Sequence, residues 1–249
     1  MYRRPGGPER ISLRDAVATV HRDPRWWIKC LTYGGLTLSL LGAPIAVGFV
    51  LESYDNSRKG YPTPLPPWSD WTIRWLSGLF ALLIDFTFFV LPLLIASMLV
   101  VCAGIGLLAV VQSDLAALNT TLIVILTLAG VVAVGMFFVG VAPVGRLIFV
   151  DEGKIEEALS VAVLRRALDP AERRMFLRAR LTSLGAYVPA LAIGGGSAAL
   201  FISMPSTPIW AVALGAWLLC STLVYAHLVT AQLYVAAEHI AEQQRNRWE

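Results

Sequence analysis

Gly60-Tyr61-Pro62-Thr63-Pro64-Leu65-Pro66-Pro67-Trp68-Ser69-Asp70-Trp71 places four prolines and two tryptophans between two long apolar runs. Each proline fixes φ, removes a backbone donor and biases the residue before it away from helix. The stretch is therefore an extended, polyproline-like strap. It cannot cross a bilayer, where every backbone polar group needs a partner within the protein. Trp68 and Trp71 suit the headgroup layer, which accommodates an apolar ring together with an N–H donor. Ser69 or Asp70 can cap a helix that starts directly afterwards.

The runs on either side set the class. Of 249 residues, 57% are hydrophobic and only 15% charged, and the mean hydropathy is +0.66. A soluble domain of this length exposes more charge, so the composition implies an all-α integral membrane protein. The apolar runs are continuous and lack the alternation of barrel strands. Cys30, Cys102 and Cys220 lie far apart inside apolar segments. That is neither a disulfide framework nor a metal set, and buried thiols are expected. Met1 to Pro8 is basic and rich in Gly and Pro, and an amphipathic segment follows it instead of an apolar h-region. Residues 1–11 therefore read as a flexible basic tail, with no signal peptide apparent.

A single helical membrane domain is expected over 12–237. Ser12, with Asp15 three residues on, opens an interfacial amphipathic helix over 12–22, with Arg10, Arg14 and Arg22 on its basic face. Asp23-Pro24 then reads as N-cap and first helical residue, and Trp26 and Trp27 anchor the chain where it dips into the bilayer. Trp26 to Leu51 would be roughly 39 Å long as one helix, but Gly42-Ala43-Pro44 interrupts it. Residues 26–58 thus form a broken hydrophobic hairpin, either re-entrant or a single kinked crossing. After the 60–71 strap come an interfacial helix at 72–84 and a transmembrane helix at 86–111. Trp75 to Val111 would reach roughly 55 Å as one helix against a hydrocarbon core of about 30 Å, so it should divide near Asp85 or Pro92. Further spans are expected at 118–142, 181–204 and 208–237. Amphipathic cytoplasmic helices occupy 151–180, where Ile155, Ala158, Leu159, Ala162 and Val163 make one stripe, and a polar tail occupies 238–249. A weak repeat, surface helix then Asp-Pro then apolar run, occurs near 12–40 and 155–200.

Lys and Arg concentrate before the first run (Arg3, Arg4, Arg10, Arg14, Arg22, Arg25, Lys29) and between 146 and 180. The loops at 112–117 and 203–208 contain neither. The positive-inside rule places the basic segments and both termini in the cytoplasm. Counting crossings back from 112–117 then puts the strap inside as well, beside Arg58, Lys59 and Arg74. This favours four transmembrane helices plus a re-entrant first hairpin. The alternative has six transmembrane helices, with the strap outside and a reversal at Pro92.

The strap resembles the signature of an uncharacterised prokaryotic membrane-protein family, a domain of unknown function with a Gly and a Leu-Pro-x-Trp-x-Asp-Trp core. The matching residues are Gly60, Leu65, Pro66, Trp68, Asp70 and Trp71, and Pro67 stands where an acidic residue is usual. The likeness extends to Asp23-Pro24-x-Trp26, the Gly/Pro-interrupted first run, Glu152 to Leu164 with Gly153, and His227-x-x-x-x-Gln232-Leu233-Tyr234. The resemblance implies the cytoplasmic (inner) membrane of a bacterium or archaeon, and no activity.

His227 is the one histidine inside an apolar span. The sharp reading is a ligand to a haem or pigment, or a proton relay, and the bland one a histidine hydrogen-bonded between helices. Asp85 either marks an ion path or pairs with Arg74 or Arg146 near the headgroups. Gly194-Gly195-Gly196 reads as a point of close helix contact. The arginines from Arg165 to Arg180 come without any nucleic-acid motif, so anionic lipid in the cytoplasmic leaflet is their expected partner. No elbow, zinc or phosphate-loop motif occurs. No enzyme activity and no cofactor are expected. The chain reads as a scaffold or accessory subunit that contacts other membrane subunits, with Pro66, Trp68, Asp70, Trp71, Asp23, Pro24, Trp26, Gly42 and Pro44 as its structural signature. A small transporter or channel is the alternative, and a single-His pigment or haem subunit the third reading.

Overall fold

In the computed structural model, residues 10–110, 119–120, 123–124, 126–127, 130–131, 135, 140–204 and 208–246 are described. Among them are helices joined by short turns, and no strand. The expected span at 118–142 falls largely outside the described residues, as do the loop at 112–117, residues 205–207 and the first nine residues.

Ser12 caps α1 (Leu13–Val20), its Oγ accepting the Asp15 N–H at 3.4 Å. The cap of α2 (Trp26–Thr37) departs from expectation. Asp23 Oδ1 accepts the Arg25 N–H at 2.8 Å, a turn that delays the helix and leaves Pro24 ahead of it. Pro44 does stand in the first turn of α3 (Ala43–Arg58), where its missing N–H costs nothing. α2 and α3 fold back on each other. Tyr33 stacks on Phe49 with ring centroids 3.9 Å apart. Lys29, near the start of α2, and Asn56, near the end of α3, both bond strap carbonyls. At the opposite end, Leu40 is 91% exposed and Leu41 74%.

Asp70 opens α4 (Trp71–Asp85) from the left-handed region, φ 61°. Its carboxylate does not cap the helix; it accepts the Ser69 Oγ–H at 2.9 Å. α4 runs through a π-helical turn, Phe86–Val90, straight into α5 (Leu91–Val110). The chain does not reverse at Pro92. The carbonyl four residues before Pro92 is that of Phe88, inside the wide turn, so the missing donor falls where the regular ladder is already interrupted. This turn lies between the two marks read from the sequence, and the helix runs on through it instead of dividing. α3 and α4 approach with their backbones in contact: a Cβ on Gly48 would collide with the Arg74 carbonyl, and one on Gly78 with the Pro44 carbonyl.

From residue 141 onward come α6 (Val141–Glu152), α7 (Ile155–Ala158), α8 (Val161–Leu168), α9 (Pro170–Ser183) and, after a 3₁₀ turn at Leu184–Tyr187, α10 (Val188–Ser203). The expected single stripe over 155–163 is split, because Ser160 restarts the helix by accepting the Ala162 N–H at 3.2 Å. α9 and α10 run antiparallel to α11 (Ile209–Arg245): Glu172 meets Arg245, Tyr187 meets His227, and Ser197 meets Gly215. α11 is the axis of the molecule and touches α1, α2, α3, α6, α9 and α10. Leu228 to Glu238 is buried without interruption. The expected polar tail is the last turns of this helix, which continues to Arg245. Of the thiols only Cys30 is buried; Cys102 is exposed and Cys220 half-buried, since a thiol is at ease on a lipid-facing surface. Of the glycine triplet only Gly194 faces α11, at Leu219, while Gly195 and Gly196 look into open space. The hint of a repeat is not mirrored, because α2 stops at Thr37 whereas its counterpart runs on from Pro170 to Ser203.

Trp71–Phe88, Glu172–Ser203 and Ile209–Arg245 are long and apolar enough to cross a membrane. Their outer faces carry exposed Ile73, Leu76, Leu191, Ile202, Ile209 and Trp210, an apolar surface far larger than water tolerates. This is a multi-pass membrane protein.

Candidate functional site

The strap closes on its own chain. Its prolines keep three carbonyls out of any helix, and each accepts a side-chain donor: Pro64 from Asn56 Nδ2 at 3.1 Å, Pro66 from Lys29 Nζ at 2.6 Å and Pro67 from Arg74 Nη2 at 2.9 Å. Lys29 is buried and also pairs with Asp23 at 2.7 Å. Arg74 is 1% exposed. Its guanidinium reaches Glu52 at 2.8 Å and the Tyr33 hydroxyl at 2.5 Å. Tyr33, Phe49 and Trp71 surround it with ring faces at 5.8 to 5.9 Å. An arginine fork supplies several donors in fixed geometry, and stacking suits its weakly hydrated plane. Trp68 stacks on Tyr33 at 5.7 Å, so one of the signature tryptophans is spent inside the molecule. Trp71 closes the cage while keeping an exposed edge.

A second polar group lies where α4 meets α6. Asp85 pairs with Arg146, which is buried. Gly145 beside it leaves room for Ile84 and Phe88. Of the two partners considered for Asp85, Arg146 is the one present, since Arg74 is turned toward Glu52. The pair stands immediately before the π turn.

A third group ties the helix ends together. Arg58 bonds Asp151 and Glu238, each at 2.9 Å. Arg166 bonds Glu172 at 3.0 Å and Glu238 at 2.8 Å, and Arg245 also reaches Glu172. One turn inward, Gln232 joins Ser57 at 2.6 Å and Ser53 at 3.1 Å. Burial alone would lower Arg166, yet Glu238 and Glu172 hold it above the ordinary arginine value.

His227 Nδ1 lies 3.3 Å from the Tyr187 hydroxyl, with the two rings edge to face. Among the described residues no cluster of His, Cys, Asp and Glu has metal-holding geometry. The residues singled out in the sequence do not form one site. Asp23, Pro66, Trp68 and Trp71 converge on the clasp of strap and hairpin, Gly42 and Pro44 shape the hairpin tip, and Trp26 stacks on His21 at 4.3 Å. Lys29, Tyr33, Glu52 and Arg74 do the holding; the sequence offered Lys29 only as a topology charge and Arg74 only as a neighbour of the strap or a partner for Asp85, and did not mark Tyr33 or Glu52. The available signal was three charges inside or beside apolar runs, each of which demands a partner there.

The model of a family described as "Protein of unknown function (DUF4013)" matches residues 35–202. That range takes in the strap, Arg74, Asp85 and Arg146. No curated protein and no solved structure matches the chain.

Proposed function

We propose that this chain, which belongs to the DUF4013 family, is a non-enzymatic scaffold or accessory subunit of a larger complex in the cytoplasmic membrane of a prokaryote. In this reading α2 and α3 form a re-entrant hairpin and both termini lie in the cytoplasm. The observation that carries the reading is the contrast between the bundle and α5. Polar groups of the bundle are consumed in holding helices to one another, as the clasp and the ion pairs of Arg58, Arg166 and Arg245 show. α5 instead presents a continuous apolar face of Leu91, Leu94, Ile95, Met98, Leu99 and Val101. A bundle held together from within, with an apolar face of α5 offered outward, suits assembly with another membrane subunit. Tagged chain extracted from native membranes in mild detergent is expected to bring down a stoichiometric membrane partner, and Leu94→Ala/Met98→Ala to weaken that capture. Recovery as a lone monomer overturns the reading.

A small transporter or channel is the second reading, favoured by the Asp85–Arg146 pair beside the π turn. Such turns and intramembrane charges recur at functional sites. Solute or ion flux in proteoliposomes that is lost in Asp85→Asn supports it.

A further inference from the structure

We propose that the outward arginines of α8 and α9 (Arg165, Arg173, Arg174 and Arg178) bind the phosphate groups of anionic phospholipids in the adjoining leaflet. The arginines of this region divide sharply by direction. Arg166 turns inward and takes Glu172 and Glu238, and Arg180 is buried over the Tyr234 ring. Arg165, Arg173, Arg174 and Arg178 are exposed, and no carboxylate among the described residues forms an ion pair with them. The carboxylates nearest in sequence are Asp169, which is half-buried, and Glu172, which is buried and taken by Arg166 and Arg245. Four permanent cations are thus left to an external anion.

Their setting identifies it. Along the outer face of α9 the arginines alternate with exposed Leu177 and Leu181, and the face then becomes wholly apolar through Leu184, Val188 and Leu191. From Leu181 to Ile202 the helix covers roughly 32 Å, matching a hydrocarbon core of about 30 Å. The arginines therefore stand at headgroup depth, with their stems over the leucines. On α8, Val161 is 75% exposed and Leu168 48%, on either side of Arg165, the arrangement of a helix lying against a lipid surface. The inference is independent of the scaffold reading and needs only that α10 crosses the membrane.

The test is native mass spectrometry of the purified full chain titrated with phosphatidylglycerol or phosphatidylcholine. Wild type is expected to retain phosphatidylglycerol preferentially. Arg173→Gln/Arg174→Gln/Arg178→Gln is expected to lose that preference by about fivefold per arginine, on the order of a hundredfold in all. Lys59→Gln, which removes an exposed lysine from another part of the surface, is expected to keep it. Should the triple variant fail to fold, Arg174→Gln and Arg178→Gln singly are each expected to lose about fivefold. Equal retention of both lipids by wild type, an unchanged preference in the variants, or displacement of phosphatidylglycerol by inorganic phosphate overturns the proposal.

Discussion

Arg74 is charged and almost wholly enclosed, so its stability rests on being fully paired. Removing it leaves Glu52, the Tyr33 hydroxyl and the Pro67 carbonyl without their donor. Arg74→Ala should cost about 3 kcal/mol, the range for breaking a buried pair from one side, even though Glu52 keeps some access to solvent. Arg74→Lys should recover part of this, since a lysine keeps the charge but cannot reproduce the fork. Thermal unfolding in detergent checks both, and a wild-type melting temperature for Arg74→Ala would show that the clasp holds nothing.

At the scale of elements, the α3–α4 pair is the tightest junction, because two glycines let backbones touch. In a bilayer, apolar burial does not distinguish protein from lipid, so close packing carries helix association. Gly78→Ala, whose Cβ meets the Pro44 carbonyl, should destabilise by about 1–3 kcal/mol. Gly195→Ala, with open space around it, should be near neutral. Comparing their denaturation midpoints separates packing from helix propensity, since alanine favours helix at both sites. The π turn makes the same point in reverse: it absorbs Pro92 and lets α4 and α5 run on as one element.

For the whole molecule, the strap fixes where the first hairpin starts and finishes. Lys29 and Asn56 bring the two ends of the hairpin to the same strap, so Trp26 to Arg58 begins and ends at one level. Under the re-entrant arrangement Tyr61, exposed on the strap, lies on the cytoplasmic side. In a cysteine-free background Tyr61→Cys should label from that side, together with Asn246→Cys. Labelling of Tyr61→Cys from outside, with Asn246→Cys still inside, means that the first run spans.

Composition and periodicity by themselves determined that the chain is helical and that it belongs in a bilayer. Prolines, glycines and capping residues act within a few residues of themselves, and hydropathy is a sum along the chain. The strap was legible for the same reason, since four fixed φ angles forbid a helix whatever surrounds them. The tertiary structure decided which charges are paired and with what. Asp85 had two candidate arginines, Arg74 nearby in sequence and Arg146 far along the chain, and only the crossing of α4 with α6 selects the distant one. Lys29, Glu52 and Arg74 lie on three different helices, and nothing local points any of them at the strap. Trp68 read as a lipid or partner anchor because an indole suits both places. Only the hairpin's closure brings Tyr33 beneath it, and so turns an apparent external anchor into the lid of an internal clasp.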